Sequence, residues 1–460
     1  VEDEFVPMVI EQAGFKRSPT RKENPKRTPP PPGFKVLVIG AGLTGILAGI
    51  ELDRAGYDHV IIEKNEEVGG TWWKNRYPGV GVDTPSHFYS YSFEISPEWN
   101  HYHPHGADMR EYFRAVADKY DVRRNIRFQT IVHSLVFDDD AAVWNVTVED
   151  LKTGKREVIQ ANAVFNAFGT TDRWKLPDIA GIDSFKGEYF HSSRWPTEAD
   201  GTPKGLDFNG KKVGIIGTGA TGVQIIPIVA KTAKDLNVFQ RTPNWCTPLG
   251  NSPLTAEEMD HIRQRYPTIL EYVKSTPTAF PYHRDTRKGV DVSEAERNEF
   301  FQELYDQPGY GIWLSGFRDL LLSTESNKFL ADFIAKKIRE RVKDQKVAEK
   351  LIPTDHPFGA KRVPMETNYY EAYNQDNVHL VDIRETPIQE VMSDGIRTTD
   401  NIYDLDVIIF ATGFDAVTGA LDRIDIRGKG GQRFVEIGLR RGRHAIAVLP
   451  KEDLVQIELK

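Results

Sequence analysis

Two glycine triplets with the same spacing carry most of the chemistry that can be read from this chain. Gly40-x-Gly42-x-x-Gly45 follows the β-branched run KVLVI and opens a helix-periodic stretch, LTGILAGIELDRA, which closes on a second apolar run, HVII. In that setting the first glycine permits a tight turn and the second lets a pyrophosphate approach the backbone. The third lets the helix pack on the strand, and the helix N-terminus faces the phosphates. Glu63 ends the second strand, where an acid bonds both ribose hydroxyls as FAD or NAD requires. The acid's spacing and the strand-turn-helix context argue against an empty glycine-rich loop, and FAD is expected here. Gly217-x-Gly219-x-x-Gly222 repeats the grammar, but its second strand ends on Gln240, Arg241 and Thr242 with no acid. A carboxylate there would repel the 2′-phosphate of NADP, whereas Arg241 can pair with it through charge-assisted hydrogen bonds. NADPH is therefore expected in the second unit, with Thr218, Thr221 and Thr242 in its binding set. The plain alternative for Arg241 is a solvated strand-end charge, and its position in the unit decides against that.

The elements that must position these residues read as α/β: two Rossmann-like dinucleotide-binding domains, one for FAD and one for NADP, with a helical insertion. Residues 1–33 form an N-terminal extension, locally basic from 16 to 32 and ending in Pro29 to Pro32, which favour polyproline II. The FAD domain is expected over 34–170 and the NADP domain over 171–248. Charged stretches with one apolar face, such as RDLLLSTESNKFLADFIAKKIRERVKDQKVAEKL, place the helical insertion at 249–354. The NADP domain resumes at 355–390. The apolar strand in DLDVIIFATGF fits completion of the FAD domain over 391–430, and an atypical tail follows at 431–460.

Bulk properties narrow the function classes. The 460 residues are 39% hydrophobic and 27% charged, and no apolar run is long enough to span a bilayer. The acidic start, Val1 to Glu4, lacks the basic and apolar regions of a secretory signal, so a cytoplasmic protein is expected. Cys246 is the single cysteine, which excludes an internal disulfide, a CxxC redox pair and a thiolate metal site. No metal is expected, and redox chemistry falls to a bound cofactor. The net charge of −8 argues against a nucleic-acid partner. Oligomeric state leaves no mark in the sequence.

A more specific motif separates the two units. Phe185-x-Gly187-x-x-x-His191-x-x-x-Trp195-Pro196, in FKGEYFHSSRWP, matches every fixed position of the Baeyer-Villiger monooxygenase fingerprint. A second signature, Gly69-Gly70-x-Trp72 followed by Tyr77-Pro78-Gly79 and Asp83, is also complete. The chain resembles that family over residues 34 to 430, and from 180 onward is most similar to its bulky cyclic-ketone subgroup. On residue types alone, His191, Trp72 and Trp195 would be packing or linker residues and Asp83 a turn residue. The resemblance implies FAD contacts from Gly70, Thr71, Trp72 and Asp83, and a conformational linker role for His191 and Trp195. In residues 355 to 381 it implies that Lys361 touches the NADP phosphate and that Arg362 enters the flavin pocket, paired with Asp83.

That resemblance implies conversion of a ketone to an ester or lactone with O2 by way of a C4a-peroxyflavin. An arginine, charged at any working pH, suits the stabilisation of the anion. One alternative is a flavin monooxygenase that oxidises nitrogen or sulfur, against which the Phe185 to Pro196 motif speaks. The other is a nucleotide-binding remnant without oxygenation activity. It is motivated by the tail RFVEIGLRRGRHAIAVLPKEDLVQIELK, which lacks the family's flavin-lining segments and reads as truncated or frameshifted.

Overall fold

The computed structural model describes residues 29–434, apart from 97, 199–203, 205–206, 277–279, 417–418 and 420–422. Most of the N-terminal extension and of the atypical tail lies outside the described residues. The chain divides into two units: the first comprises residues 1–73, 109–173 and 414–460, and the second 74–108 and 174–413.

In the first unit, β1 (Lys35–Ile39) pairs in parallel with β2 (Asp58–Ile62). Between them runs α1 (Leu43–Ala55), which ends on Gly56 in the left-handed conformation at φ 79°. A short helix, α2 (Thr71–Lys74), and a longer one, α3 (Gly106–Lys119), precede β3 (Ile126–Arg127). The chain then forms β4 (Thr130–Asp138), β5 (Val143–Asp150), β6 (Arg156–Ala161) and β7 (Ala163–Asn166). The parallel sheet runs β3-β2-β1-β7. Val36 to Ile39 are all buried, as expected for a parallel strand covered on both faces. The strand Asp425–Arg427 joins β4, β5 and β6 in a second sheet, packed on the first through Leu37, Ile39, Leu135 and Val146.

The second unit repeats the plan. Its parallel sheet contains β8 (Glu188–His191), β9 (Lys212–Ile216) and β10 (Asp235–Gln240). The helix α4 (Ala220–Val229) follows β9. A two-residue strand, β11 (Thr247–Pro248), leads into α5 (Ala256–Ser275), whose start is fixed by a reciprocal Thr255–Glu258 capping box. Then come α6 (Glu294–Asp306), α7 (Gly311–Leu314), α8 (Thr324–Arg341) and α9 (Gln345–Leu351). Their apolar faces contribute Phe301, Leu304, Leu330, Ile334 and Ile338 to the same core as Val213, Ile215 and Val238 of the sheet. The chain continues with β12 (Met365–Glu366) and β13 (Val378–Asp382). A three-stranded antiparallel sheet, β14 (Ile388–Met392), β15 (Gly395–Thr398) and β16 (Ile402–Asp404), precedes β17 (Val407–Phe410).

The pairing of β17 corrects an expectation. The apolar strand of DLDVIIFATGF belongs to the second sheet, in the order β13-β10-β9-β17-β8, and not to the first. The physical reason lies in the glycine turns. Ala167 follows β7 and donates to Ile39 O (2.9 Å), and its carbonyl lies where a Gly40 Cβ would come within 2.6 Å. Ala411 follows β17 and does the same for the other unit, donating to Ile216 O (2.9 Å) with its carbonyl 2.5 Å from a Gly217 Cβ position. Each sheet needs its own late strand, and β7 already fills that place in the first.

Candidate functional site

The two phosphate turns are built alike. Gly40 and Gly217 hold φ of 99° and 111°, which an L side chain rarely adopts. A Cβ on Gly45 would sit 1.8 Å from Gly40 O, and one on Gly222 would sit 2.2 Å from Gly217 O. By contrast, a Cβ on Gly219 meets nothing within 4 Å, which leaves an open cradle at the start of α4. Gly42 is similarly open, its nearest neighbour being Gly70 Cα at 3.5 Å. Gly69 donates to Ala41 O (3.0 Å), so the Gly69-Gly70 turn is pinned beside the first cradle, and Thr71 is exposed just after it. Trp72 is half-buried.

Glu63 is buried, and its charge is held by amides. Ala41 N donates to Oε2 (2.7 Å), while Asn65 N (2.8 Å) and Asn65 Nδ2 (2.5 Å) donate to Oε1. A carboxylate offers about four acceptor positions, so Oε2 keeps one for a hydroxyl. The open Gly42 cradle, the helix N-terminus and this oriented carboxylate fit the diphosphate and ribose of FAD.

In the second unit the loops after β10 and before β12 zip together. Thr247 N donates to Pro364 O (3.2 Å), Trp245 Nε1 to His356 O (3.1 Å) and Asn244 Nδ2 to Arg362 O (3.4 Å). Thr218 Oγ1 donates to Thr242 O (3.2 Å), tying the glycine turn to the end of β10. Arg241 is exposed and makes no ion pair or side-chain hydrogen bond among the described residues. Lys361 is half-exposed, 3.6 Å from Asp355. Asn244 Oδ1, Gln240 Oε1 and His356 Nε2 are buried without a hydrogen-bond partner among the described residues. These unpartnered polar atoms, an Arg241 without an ion pair among the described residues and the half-exposed Lys361 fit a phosphorylated dinucleotide. The residues present therefore accommodate NADPH.

Arg362, adjacent to Lys361, forms the most reactive arrangement. Its NH2 donates to Oδ2 of Asp83 at 2.7 Å, and 62% of its side chain is exposed against 4% for Asp83. Although protein atoms surround the guanidinium and burial works against its charge, Asp83 and the Tyr310 hydroxyl outweigh this and hold it above the ordinary arginine range. Asp83 is delivered by the Tyr77-Pro78-Gly79 turn. Gly79 (φ 81°) presses so closely on α4 that a Cβ would come within 2.8 Å of Gln224 O. Tyr77, its hydroxyl pushed up to about 12 mainly by burial, donates to Gln224 Oε1 (2.9 Å), and Gln224 Nε2 returns a bond to Gly81 O (3.2 Å). Thr221, half-buried on the same helix, works against that shift.

Sequence reasoning missed Tyr310. Its hydroxyl donates to the same Asp83 Oδ2 (2.9 Å) and lies 3.4 Å from Arg362 NH2. It sits in the helical insertion, 227 residues from Asp83, with no motif to mark it.

His191 ends β8 with both ring nitrogens engaged. Nδ1 accepts from Ser193 N (3.1 Å) and pairs with Ser193 Oγ (2.9 Å), and Nε2 faces Gly413 O (3.0 Å). Burial lowers its pKa to about 4, partly offset by the Gly413 bond, so the ring is neutral at pH 7. It ties β8 to the turn after β17. Trp195 packs edge-on against Phe190 (5.0 Å) and donates to Lys204 O (3.3 Å). Among the described residues no cluster of three or more His, Cys, Asp or Glu could hold a metal ion, and no helix is long and apolar enough to cross a membrane.

Two nucleotide cradles, one with a ribose acid and one with an arginine that makes no ion pair among the described residues, define a flavoprotein that draws on NADPH. Comparison with known proteins makes the class specific. The family described as FMO-like, flavin-binding monooxygenase-like, matches residues 33–250. The 2-oxo-Δ3-4,5,5-trimethylcyclopentenylacetyl-CoA monooxygenase of Pseudomonas putida is 63% identical over 409 residues, covering 88% of this chain and 74% of that protein. Cyclohexanone 1,2-monooxygenase of Acinetobacter sp. is 37% identical over 86% of this chain and 72% of its own length. The crystal structure of OTEMO in complex with FAD and NADP superimposes with a TM-score of 0.86 at 62% identity, covering 89% of this chain and 77% of that one. The chain belongs to the Baeyer-Villiger group of the flavin-binding monooxygenases, α/β enzymes that use FAD and NADPH.

Proposed function

We propose that the protein converts bulky cyclic ketones to lactones or esters. A ketone, O2, NADPH and a proton give the ester, NADP+ and water. Bound flavin, once reduced by NADPH, supplies the oxygen atom drawn from O2. The chain's own residues do the rest. Gly40, Gly42, Gly45, Glu63, Gly70, Thr71 and Trp72 seat the flavin nucleotide. Gly217, Thr218, Gly219, Thr221, Gly222, Arg241, Thr242 and Lys361 seat NADPH, with Arg241 and Lys361 reading its extra phosphate. Arg362 stabilises the negative charge that develops on the ketone oxygen as the oxygen nucleophile adds, and Asp83 holds the guanidinium in place. His191, with both nitrogens engaged, acts as a tie between β8 and the turn after β17 and transfers no proton, while Trp195 packs on Phe190, the residue before it. We assign the protein to the cytoplasm, where the buried Cys246 thiol would stay reduced.

The observation that carries this reading is the Asp83–Arg362 pair, buried at the carboxylate and open at the guanidinium. The test is ester formation by the FAD-loaded protein with NADPH, O2 and a bulky cyclic ketone, beside Arg362→Ala. Ester from the native chain and at least about a hundredfold less from the variant is expected, and equal yields would overturn the assignment of Arg362.

A further inference from the structure

We infer that Tyr310 is a positioning residue that keeps Arg362 open for catalysis, by joining Asp83 Oδ2 and Arg362 NH2 in a closed ring that holds the pair to one oxygen and one nitrogen. The inference rests on the functional reading above and extends it to a residue outside every motif.

A guanidinium beside a carboxylate favours a bidentate pairing, with two parallel N–H donors on two oxygens. Here only NH2 is engaged. It donates to Asp83 Oδ2 (2.7 Å), and the Tyr310 hydroxyl donates to that same oxygen (2.9 Å) while lying 3.4 Å from NH2 as an acceptor. The three groups close a ring around one nitrogen. Of the five N–H donors of an arginine, those on Nε and NH1 make no hydrogen bond among the described residues, and the side chain stays largely exposed. Tyr310 cannot leave this role by ionising, because burial and the neighbouring Asp83 push its hydroxyl well above the ordinary tyrosine range.

The ring of Tyr310 is itself locked. Its backbone N donates to the Tyr282 hydroxyl (3.1 Å), and its ring is edge-on to Phe280 (6.3 Å) and Trp313 (5.5 Å). Gly309 before it has φ 76°, and a Cβ there would lie 2.7 Å from the Tyr282 oxygen and 3.0 Å from His103 Nε2. The segment therefore presents the hydroxyl at one place. Losing it opens that ring and lets Asp83 and Arg362 turn into the two-oxygen fork, at the expense of donors meant for the reacting oxygen.

The experiment is Tyr310→Phe in the full FAD-loaded chain, which keeps the ring and its packing. Solvent exchange of the Arg362 Nε–H, assigned by its loss in Arg362→Lys, is followed by nitrogen-15 NMR alongside the partition of NADPH between ester and hydrogen peroxide. We expect slower Nε–H exchange in the variant, an unchanged KM for NADPH, and a fall in ester per NADPH of about tenfold, the scale of one charge-assisted hydrogen bond. Unchanged exchange overturns the inference whatever the yields. Slowed exchange with an unchanged partition overturns the catalytic half of it. If the native chain forms no ester but exchange still slows in the variant, the positioning role stands and the proposed function falls.

Discussion

At the scale of single residues, the account turns on where charge is spent. Glu63 spends its carboxylate on amides, Asp83 spends one oxygen on Arg362 and Tyr310, and Arg362 and Arg241 keep donors in reserve. Removing a preorganised donor for a developing oxyanion costs about a hundredfold to a thousandfold. Arg362→Ala should therefore lower ester formation by roughly that factor, while NADPH oxidation continues and appears as hydrogen peroxide, measured by product chromatography and a peroxide assay. Arg241→Ala should lower kcat/KM for NADPH about tenfold or more, as loss of a charge-assisted contact implies, and barely alter that for NADH. Equal losses for the two nucleotides would show that Arg241 does not read the 2′-phosphate. The glycine turns and the amide-bonded Glu63 were legible because the geometry of each lies within its own βαβ unit. The Asp83–Arg362 contact joins residues 279 apart and was legible only through the resemblance. Tyr310 was not legible at all, since nothing in Pro308-Gly309-Tyr310 announces which carboxylate the hydroxyl meets.

Among the elements, the glycine turns divide into positions closed by packing, Gly45 and Gly222, and positions left open, Gly42 and Gly219. Gly222 cannot carry a side chain without driving it into Gly217 O, whereas Gly219, in extended backbone at φ −78°, faces open space. Gly219→Ala should therefore keep the melting temperature near native while weakening NADP+ binding, read by fluorescence titration. Gly222→Ala should lose both stability and binding. A Gly219→Ala protein with native NADP+ affinity would place the phosphates elsewhere. The same turns explain why β17 could not be placed from sequence. The text that follows β7, Ala167-Phe168-Gly169, and that after β17, Ala411-Thr412-Gly413, are variants of one ending, and each closes a sheet of the same design. An apolar strand's composition states that it is buried, not which glycine turn its terminal alanine supports. Helix positions in the insertion were readable because their apolar spacing is local.

At the scale of the molecule, burial of neutral imidazoles links stability to pH. Burial lowers His87 and His103 to about 4, with the nearby His87 adding to the effect on His103, and burial lowers His191 to about 4 as well. The ordinary value of 6.5 applies once the chain unfolds. The unfolded chain therefore binds protons between these limits that the folded chain refuses, so stability is fully present above about pH 6.5 and drains away as the pH falls toward 4. Melting temperature should fall across that window, and the fall should be shallower in His87→Asn. A melting temperature flat from pH 7 to 4.5 would contradict the buried neutral state of these rings.

The FAD-loaded protein is supplied with NADPH, isotopically labelled 18O2 and a bulky cyclic ketone, and the product is weighed by mass spectrometry against NADPH consumed. The account predicts a lactone carrying one labelled oxygen, formed in step with NADPH oxidation. NADPH oxidation that yields only labelled hydrogen peroxide, with the ketone recovered intact, would contradict it.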